Sequence, residues 1–293
     1  MNLSELLTQP FKTATFGCLM LAILSLWIAR RYWVWGALVV LSFVFAIISK
    51  TATYETLIPL GVLLGCHVAL HFQIKGVIRY LALIVAAILS FGLAFHLIPG
   101  FDNWRLANQV SLSTDSMPFT YYWNFDKPFI GLFVIALNLP LIQTRESLKG
   151  VFLKTLPFMV LGVGALLALS YWWDVVQFDL KWTALFFIWP IGNLFLTVIP
   201  EEAFFRGFLQ TEIAKLIPHK RAGWISILTV SVVFALLHFN FVSHLSFIAI
   251  AFFASLLYGT CYYLTESIES SILTHYFLNL VHFVFLTYPA LQN

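Results

Sequence analysis

VIRYLALIVAAILSFGLAFHLI, residues 77–98, runs for twenty-two residues with a single charge, Arg79, near its start. The hydrocarbon core of a bilayer takes roughly 20 consecutive apolar residues in a helix, so the stretch has the length and composition of a crossing. The same pattern extends to either side of it. Apolar segments at 14–29, 32–49, 56–73, 77–98, 128–143, 151–173, 181–199, 201–217, 222–241 and 243–264 are candidate spans, with 270–288 as an eleventh candidate. The expected fold is all-α: a polytopic transmembrane helix bundle of about ten spans.

Composition supports this reading. Of 293 residues, 61% are hydrophobic and 10% are charged, and the mean hydropathy is +0.90; a soluble domain has roughly 45–50% apolar and about 25% charged residues. The formal net charge of +3 is too small for a nucleic-acid surface, so the expected surroundings are the lipid bilayer and no nucleic acid. No basic region precedes segment 14–29 and no small-residue cleavage site follows it, so it reads as a retained anchor. Cys18, Cys66 and Cys261 lie in or beside apolar spans without CxxC spacing, which points to neither a disulfide framework nor a zinc knot.

Basic residues in short loops mark the cytoplasmic side. Turns at 30–31, 74–79, 144–154 and 206–221 together carry Arg30, Arg31, Lys75, Arg79, Arg145, Lys149, Lys154, Arg206, Lys215, Lys220 and Arg221, eleven of the sixteen Lys and Arg. The opposite side then holds Lys12, Lys50, Arg105, Lys127 and Lys181 among acidic residues. This assignment joins 201–217 to 181–199, leaves ten spans and puts both termini outside.

A polar stretch from Pro99 to Pro128 separates an N-terminal block, 1–127, from a C-terminal block, 128–293. It reads as an external loop without chemistry, with Tyr121-Tyr122-Trp123 at the membrane–water interface. In the N-terminal block, His67 and His71 are i,i+4 neighbours. They could bind a metal or haem, but no acidic or third imidazole partner lies nearby, so two bundle-facing histidines bonded to other helices are expected.

Ionisable side chains inside a membrane are costly and point to function. Glu201 and Glu202 follow Pro200, and Arg206 is i,i+4 from Glu202, a spacing suited to an ion pair. Glu201 is rotated about 100° away. Phe234-x-x-x-His238 and His275-x-x-x-Asn279 follow in later spans. If the chain reverses at Pro218-His219-Lys220-Arg221, Glu201 and His238 each lie 17 residues from the turn, roughly 25 Å in helix, and a helical hairpin sets them side by side. Glu201 could then act as general base on a water oriented by His238, with His275 and Asn279 donating to the oxyanion. The same residues could equally be helix–helix polar contacts in a transporter or scaffold. His275 lies six residues after Glu269, near the cytoplasmic side. Either 266–271 dips into a wet cavity, or part of 201–217 projects from the membrane.

Glu-Glu-x-x-x-Arg at 201–206, Phe-x-x-x-His at 234–238 and His-x-x-x-Asn at 275–279 resemble the three motifs of the CAAX protease and bacteriocin-processing (CPBP, or Abi) family of intramembrane endopeptidases. The resemblance covers about 150–288, half the chain, and leaves 1–127 outside it. It implies that Glu201 is the catalytic glutamate working with His238, that His275 and Asn279 form the oxyanion site, and that Glu202 and Arg206 support them. Members of the family have been described both as metalloproteases and as glutamate-dependent enzymes without metal. No cofactor is expected, because Glu202 is accounted for by Arg206; a zinc ion would draw its ligands from Glu201, His238 and His275, with Glu202 and His282 as further donors. HExxH, GxSG and GxGD are absent, which disfavours the other intramembrane protease classes.

The implied activity is hydrolysis of peptide bonds in a membrane-associated or lipid-anchored protein substrate. Eukaryotic relatives trim prenylated C-termini, and bacterial relatives are tied to bacteriocin immunity, peptide processing or sorting. The short loops suit a bacterial inner membrane. A proton-coupled transporter and a catalytically silent binding or immunity scaffold are the alternatives.

Overall fold

A computed structural model of the protein describes residues 4–29, 31–239 and 245–292. Arg30, counted above among the cytoplasmic charges, and the 240–244 junction of two expected spans lie outside the described residues.

The described chain is mostly helical, in this order: α1 (Ser4–Thr8), α2 (Pro10–Ile28), α3 (Tyr32–Ile48), α4 (Leu57–His71), α5 (Val77–Ala94), β1 (Trp104–Val110), β2 (Phe119–Trp123), α6 (Pro128–Asn138), α7 (Arg145–Trp172), α8 (189–216), α9 (Ala222–Leu237), α10 (Leu245–Thr265) and α11 (Ile268–Phe285). Five helices among the described residues, Pro10–Ile28, Tyr54–His71, Val77–Ala94, Arg145–Trp172 and Leu245–Thr265, are long and apolar enough to cross a membrane by length and composition. Tyr32–Ile48, Pro128–Asn138 and Ala222–Leu237 are apolar but shorter. Segments 181–199 and 201–217 form one helix, α8, preceded by a single 3-10 turn at Ala184–Phe187. Segment 128–143 stops at Asn138, and Leu139 is extended, because the residue before a proline, here Pro140, is pushed out of the helical region.

The all-α expectation needs one correction. The stretch 99–127 contains a two-stranded sheet, β1 with β2. Strand alternation turns Tyr121 and Trp123 inward, 8% and 7% exposed, and leaves only Tyr122 out.

The chain divides into two compact units that interleave along the sequence. The first comprises 1–106, 121–140 and 191–204, the second 107–120, 141–190 and 205–293. In the first unit α2 packs on α3, with Ser42 Oγ donating 2.7 Å to the Thr15 carbonyl; both residues are fully buried. The rings of Phe16, Phe43, Phe125 and Phe129 meet at 5.3–5.9 Å. The end of α6 bonds one ring nitrogen of each of the paired histidines. Asn138 Nδ2 donates 3.2 Å to His67 Nδ1, and His71 Nδ1–H bonds the Leu137 carbonyl. Both are helix-to-helix contacts, as expected.

In the second unit α7 starts earlier than expected. A reciprocal cap between Thr144 and Ser147 satisfies its first turn, each backbone N–H meeting the other's hydroxyl at 3.1 Å. Thr155 Oγ1 donates 2.9 Å to Ser270 Oγ, tying α7 to α11. Lys181 Nζ reaches the carbonyls of Phe283, at 3.3 Å, and Leu286, closing the C-terminal end of α11, where a cation is favoured. Trp189 stacks on Phe283 at 4.1 Å.

One close approach sets the spacing in the first unit. A Cβ on Gly131 would lie 2.7 Å from Pro200 Cα and 3.3 Å from the Ile199 carbonyl, so α6 lies directly against the α8 backbone, as small residues permit in membrane bundles. Gly131→Ala is therefore expected to destabilise the protein by about 1–3 kcal/mol. Gly61→Ala, whose added methyl meets nothing within 4 Å, should be neutral or stabilising by up to about 1 kcal/mol. Thermal unfolding of both variants in detergent measures the contrast.

Candidate active site

Glu201 and Glu202 share one α turn, Ile199–Glu202, between two π-helical stretches of α8, Asn193–Val198 and Ala203–Gln210. π-helical backbone makes up well under about 1% of residues, and within α-helices it is frequent at functional sites. Pro200 has no N–H for the ladder, which favours local widening there. Arg206 thus sits in backbone bonded i to i+5, outside the regular α-helix from which an i,i+4 face is read.

In the first unit, Glu201 Oε1 accepts a 2.5 Å charged hydrogen bond from Lys127 Nζ, and the two side chains are 14% and 15% exposed. Lys127, counted above among the outside cations, reaches the candidate base. Glu202 is fully buried, and Phe204 meets the Phe91 ring edge-on at 5.2 Å.

In the second unit three motif residues gather around two rings. Arg206 is fully buried, and its Nη2 donates to the Ser255 carbonyl at 3.0 Å and to Ser255 Oγ at 2.9 Å. The guanidinium carbon lies 5.2 Å from the Phe234 ring centre and 5.3 Å from that of Tyr258. His275, 5% exposed, stacks on Tyr258 at 4.5 Å and 13° and faces the Phe234 edge at 6.3 Å. The His238 ring lies 4.3 Å from that of Phe234.

His238 Nδ1 is 2.7 Å from the Phe234 carbonyl. A carbonyl only accepts, so Nδ1 carries a proton and is held by the preceding turn. Asn279 follows His275 by one turn of α11 and is partly buried. Arg206, His238 and His275 are thus brought together within the second unit, while Glu201 and Glu202 belong to the first.

His282, named as a further metal donor, has Nε2 3.1 Å from the Thr287 carbonyl at the end of α11. Among the described residues no group of three or more His, Cys, Asp or Glu is placed to hold a metal ion. Glu269 serves structure: its Oε1 accepts 2.8 Å from the Ile142 N–H and its Oε2 accepts 2.6 Å from Ser267 Oγ.

Sequence reasoning missed Lys127, Ser255 and Tyr258. A polar residue in an apolar span was the available signal for the last two, and a lysine 74 residues from its partner carried none.

These features define a helical membrane protein whose apolar helices carry buried carboxylate, guanidinium and imidazole groups. Residues 182–281 match the family described as type II CAAX prenyl endopeptidase Rce1-like, consistent with the CPBP family. The match takes in all three motifs and supports a CAAX-type peptidase acting on a membrane-associated substrate. No curated protein and no solved structure matches the chain.

Tyr258→Leu should lower the unfolding free energy by about 2–3 kcal/mol, because one ring serves both a stacking partner and a cation. Denaturation in mixed micelles measures it. Tyr263→Leu, a change to a more exposed tyrosine on the same helix, α10, should cost less.

Proposed function

We propose that the protein is a glutamate-dependent intramembrane endopeptidase that cleaves a membrane-associated or lipid-anchored protein. The observation that carries this reading is the family match over 182–281, within which all three motifs stand complete. In this mechanism Glu201 removes a proton from water, and His238 Nε2 accepts a hydrogen bond that orients it. The hydroxide adds to the scissile carbonyl, and His275 and Asn279 donate to the resulting oxyanion. Glu201 then passes its proton to the departing amine as the C–N bond breaks. Glu202 and Arg206 hold the helix geometry.

The reaction is proposed to need no metal. Glu201 already faces an ammonium at 2.5 Å, and His282 Nε2 is engaged by a backbone carbonyl. The protein is further proposed to cross a bacterial cell membrane ten times with both termini outside. Residues 1–127 and 128–293 form an accessory block and a protease block in this reading.

Membrane-proteome termini compared between cells carrying wild type and Glu201→Gln test the reading. The near-isosteric change should slow formation of the wild-type termini by about 10²- to 10⁴-fold at equal protein level. Unchanged termini would exclude Glu201 as the base. Cleavage by purified protein should also survive a divalent-metal chelator; inactivation by chelator with recovery on adding zinc would refute the metal-free mechanism.

A further inference from the structure

We infer that Lys127 is a positioning residue for Glu201: its ammonium holds one carboxylate oxygen and so fixes the other toward the reacting water. The inference rests on the proposed role of Glu201. It concerns a residue outside the matched segment 182–281 and gives the end of the N-terminal block a part in catalysis.

The first unit anchors Lys127 from both sides. Its neighbour Asp126 is 1% exposed, and Asp126 Oδ1 accepts 2.8 Å from the Lys127 backbone N–H. Asp126 Oδ2 is held by His96 Nδ1 at 2.7 Å and Asn103 Nδ2 at 3.4 Å, and Asn103 Oδ1 accepts 2.8 Å from the Phe125 N–H. The turn ahead of α6 is thereby pinned by its backbone. One helical turn further on, Gly131 rests against Pro200, the residue before Glu201. The root of the lysine and the root of the glutamate are fixed by separate contacts, and the two side chains meet between them.

A lysine stem carries considerable rotamer freedom, and a buried ion pair is weak evidence of stability, because desolvation offsets most of the attraction. Support of this kind on both sides is better explained by a requirement on the carboxylate. A general base must stand within hydrogen-bond reach of its proton, and a misplacement of about 1 Å can cost about 10²-fold in rate. A carboxylate with one oxygen tethered cannot swing away from the substrate.

The test uses full-length protein in cells, with wild type, Glu201→Gln, Lys127→Met and Lys127→Arg compared. The readouts are the rate at which wild-type-dependent membrane-protein termini form per folded molecule, and the melting temperature in detergent. Lys127→Met keeps the stem and removes the charge; leaving Glu201 without its cation should lower the melting temperature, and the rate per folded molecule should fall by about 10- to 100-fold. Lys127→Arg, which restores the charge, should return most of the rate. If Lys127→Met does not accumulate, Lys127→Gln replaces it with the same expectation, and loss of fold in both marks a structural pair and overturns the inference. It is also overturned if Glu201→Gln is inactive while Lys127→Met cleaves at the wild-type rate, or if Lys127→Arg is as slow as Lys127→Met. Unchanged termini in Glu201→Gln would instead remove the reading beneath it, and the inference with it.

Discussion

A charge carried into an apolar helix bundle has to be met there by an opposite charge or by hydrogen-bonding groups, since an unmet one costs several kcal/mol. Among the described residues, four such charges are met with different chemistries. Glu201 receives the Lys127 ammonium. Arg206 gives its hydrogen bonds to Ser255 and lies near three aromatic rings. Glu269 accepts from a backbone N–H and a serine hydroxyl. Lys181 is taken up by carbonyls at the end of α11. Polar contacts of this kind add specificity to a bundle, because lipid tails give apolar helices little reason to prefer one another.

Not all four solutions serve the same end. Lys181 satisfies carbonyls left open at the C-terminal end of α11, while Glu269, in the first turn of that helix, holds the Ile142 N–H and the Ser267 hydroxyl. Arg206 organises the interior: Phe234 and Tyr258 touch it and also touch His238 or His275, so one cation and two rings orient both imidazoles. His238 has its Nδ1–H held by its own preceding turn. Glu201 differs again, being paired yet 14% exposed, and it stands on the one α turn between two π stretches.

Much of this was legible in the sequence, and what was not has physical causes. The apolar segments show themselves because membrane helices need length and composition more than specific partners. The motif residues show themselves because polar side chains in such segments are rare. The sheet at 104–123 was legible in principle, since Phe119–Trp123 is the aromatic and β-branched run expected of a strand, but the polar residues around it read as loop. The π stretches left no trace apart from Pro200, because backbone widening depends on neighbours in space. Lys127 looked like one more loop cation. Only the fold brings it to Glu201, through a turn held by Asp126 and a helix contact that Gly131 permits.

The proposed mechanism depends on the glutamate of α8 and the imidazole at the end of α9 serving the same water. Its most direct measurement is cross-linking of Glu201→Cys with His238→Cys by the shortest bifunctional thiol reagents, in membranes, after Cys18, Cys66 and Cys261 have been replaced. Efficient intramolecular cross-linking by these reagents is the expected result. Two cysteines that each react with a small thiol probe, yet never join to each other, would contradict a shared pocket.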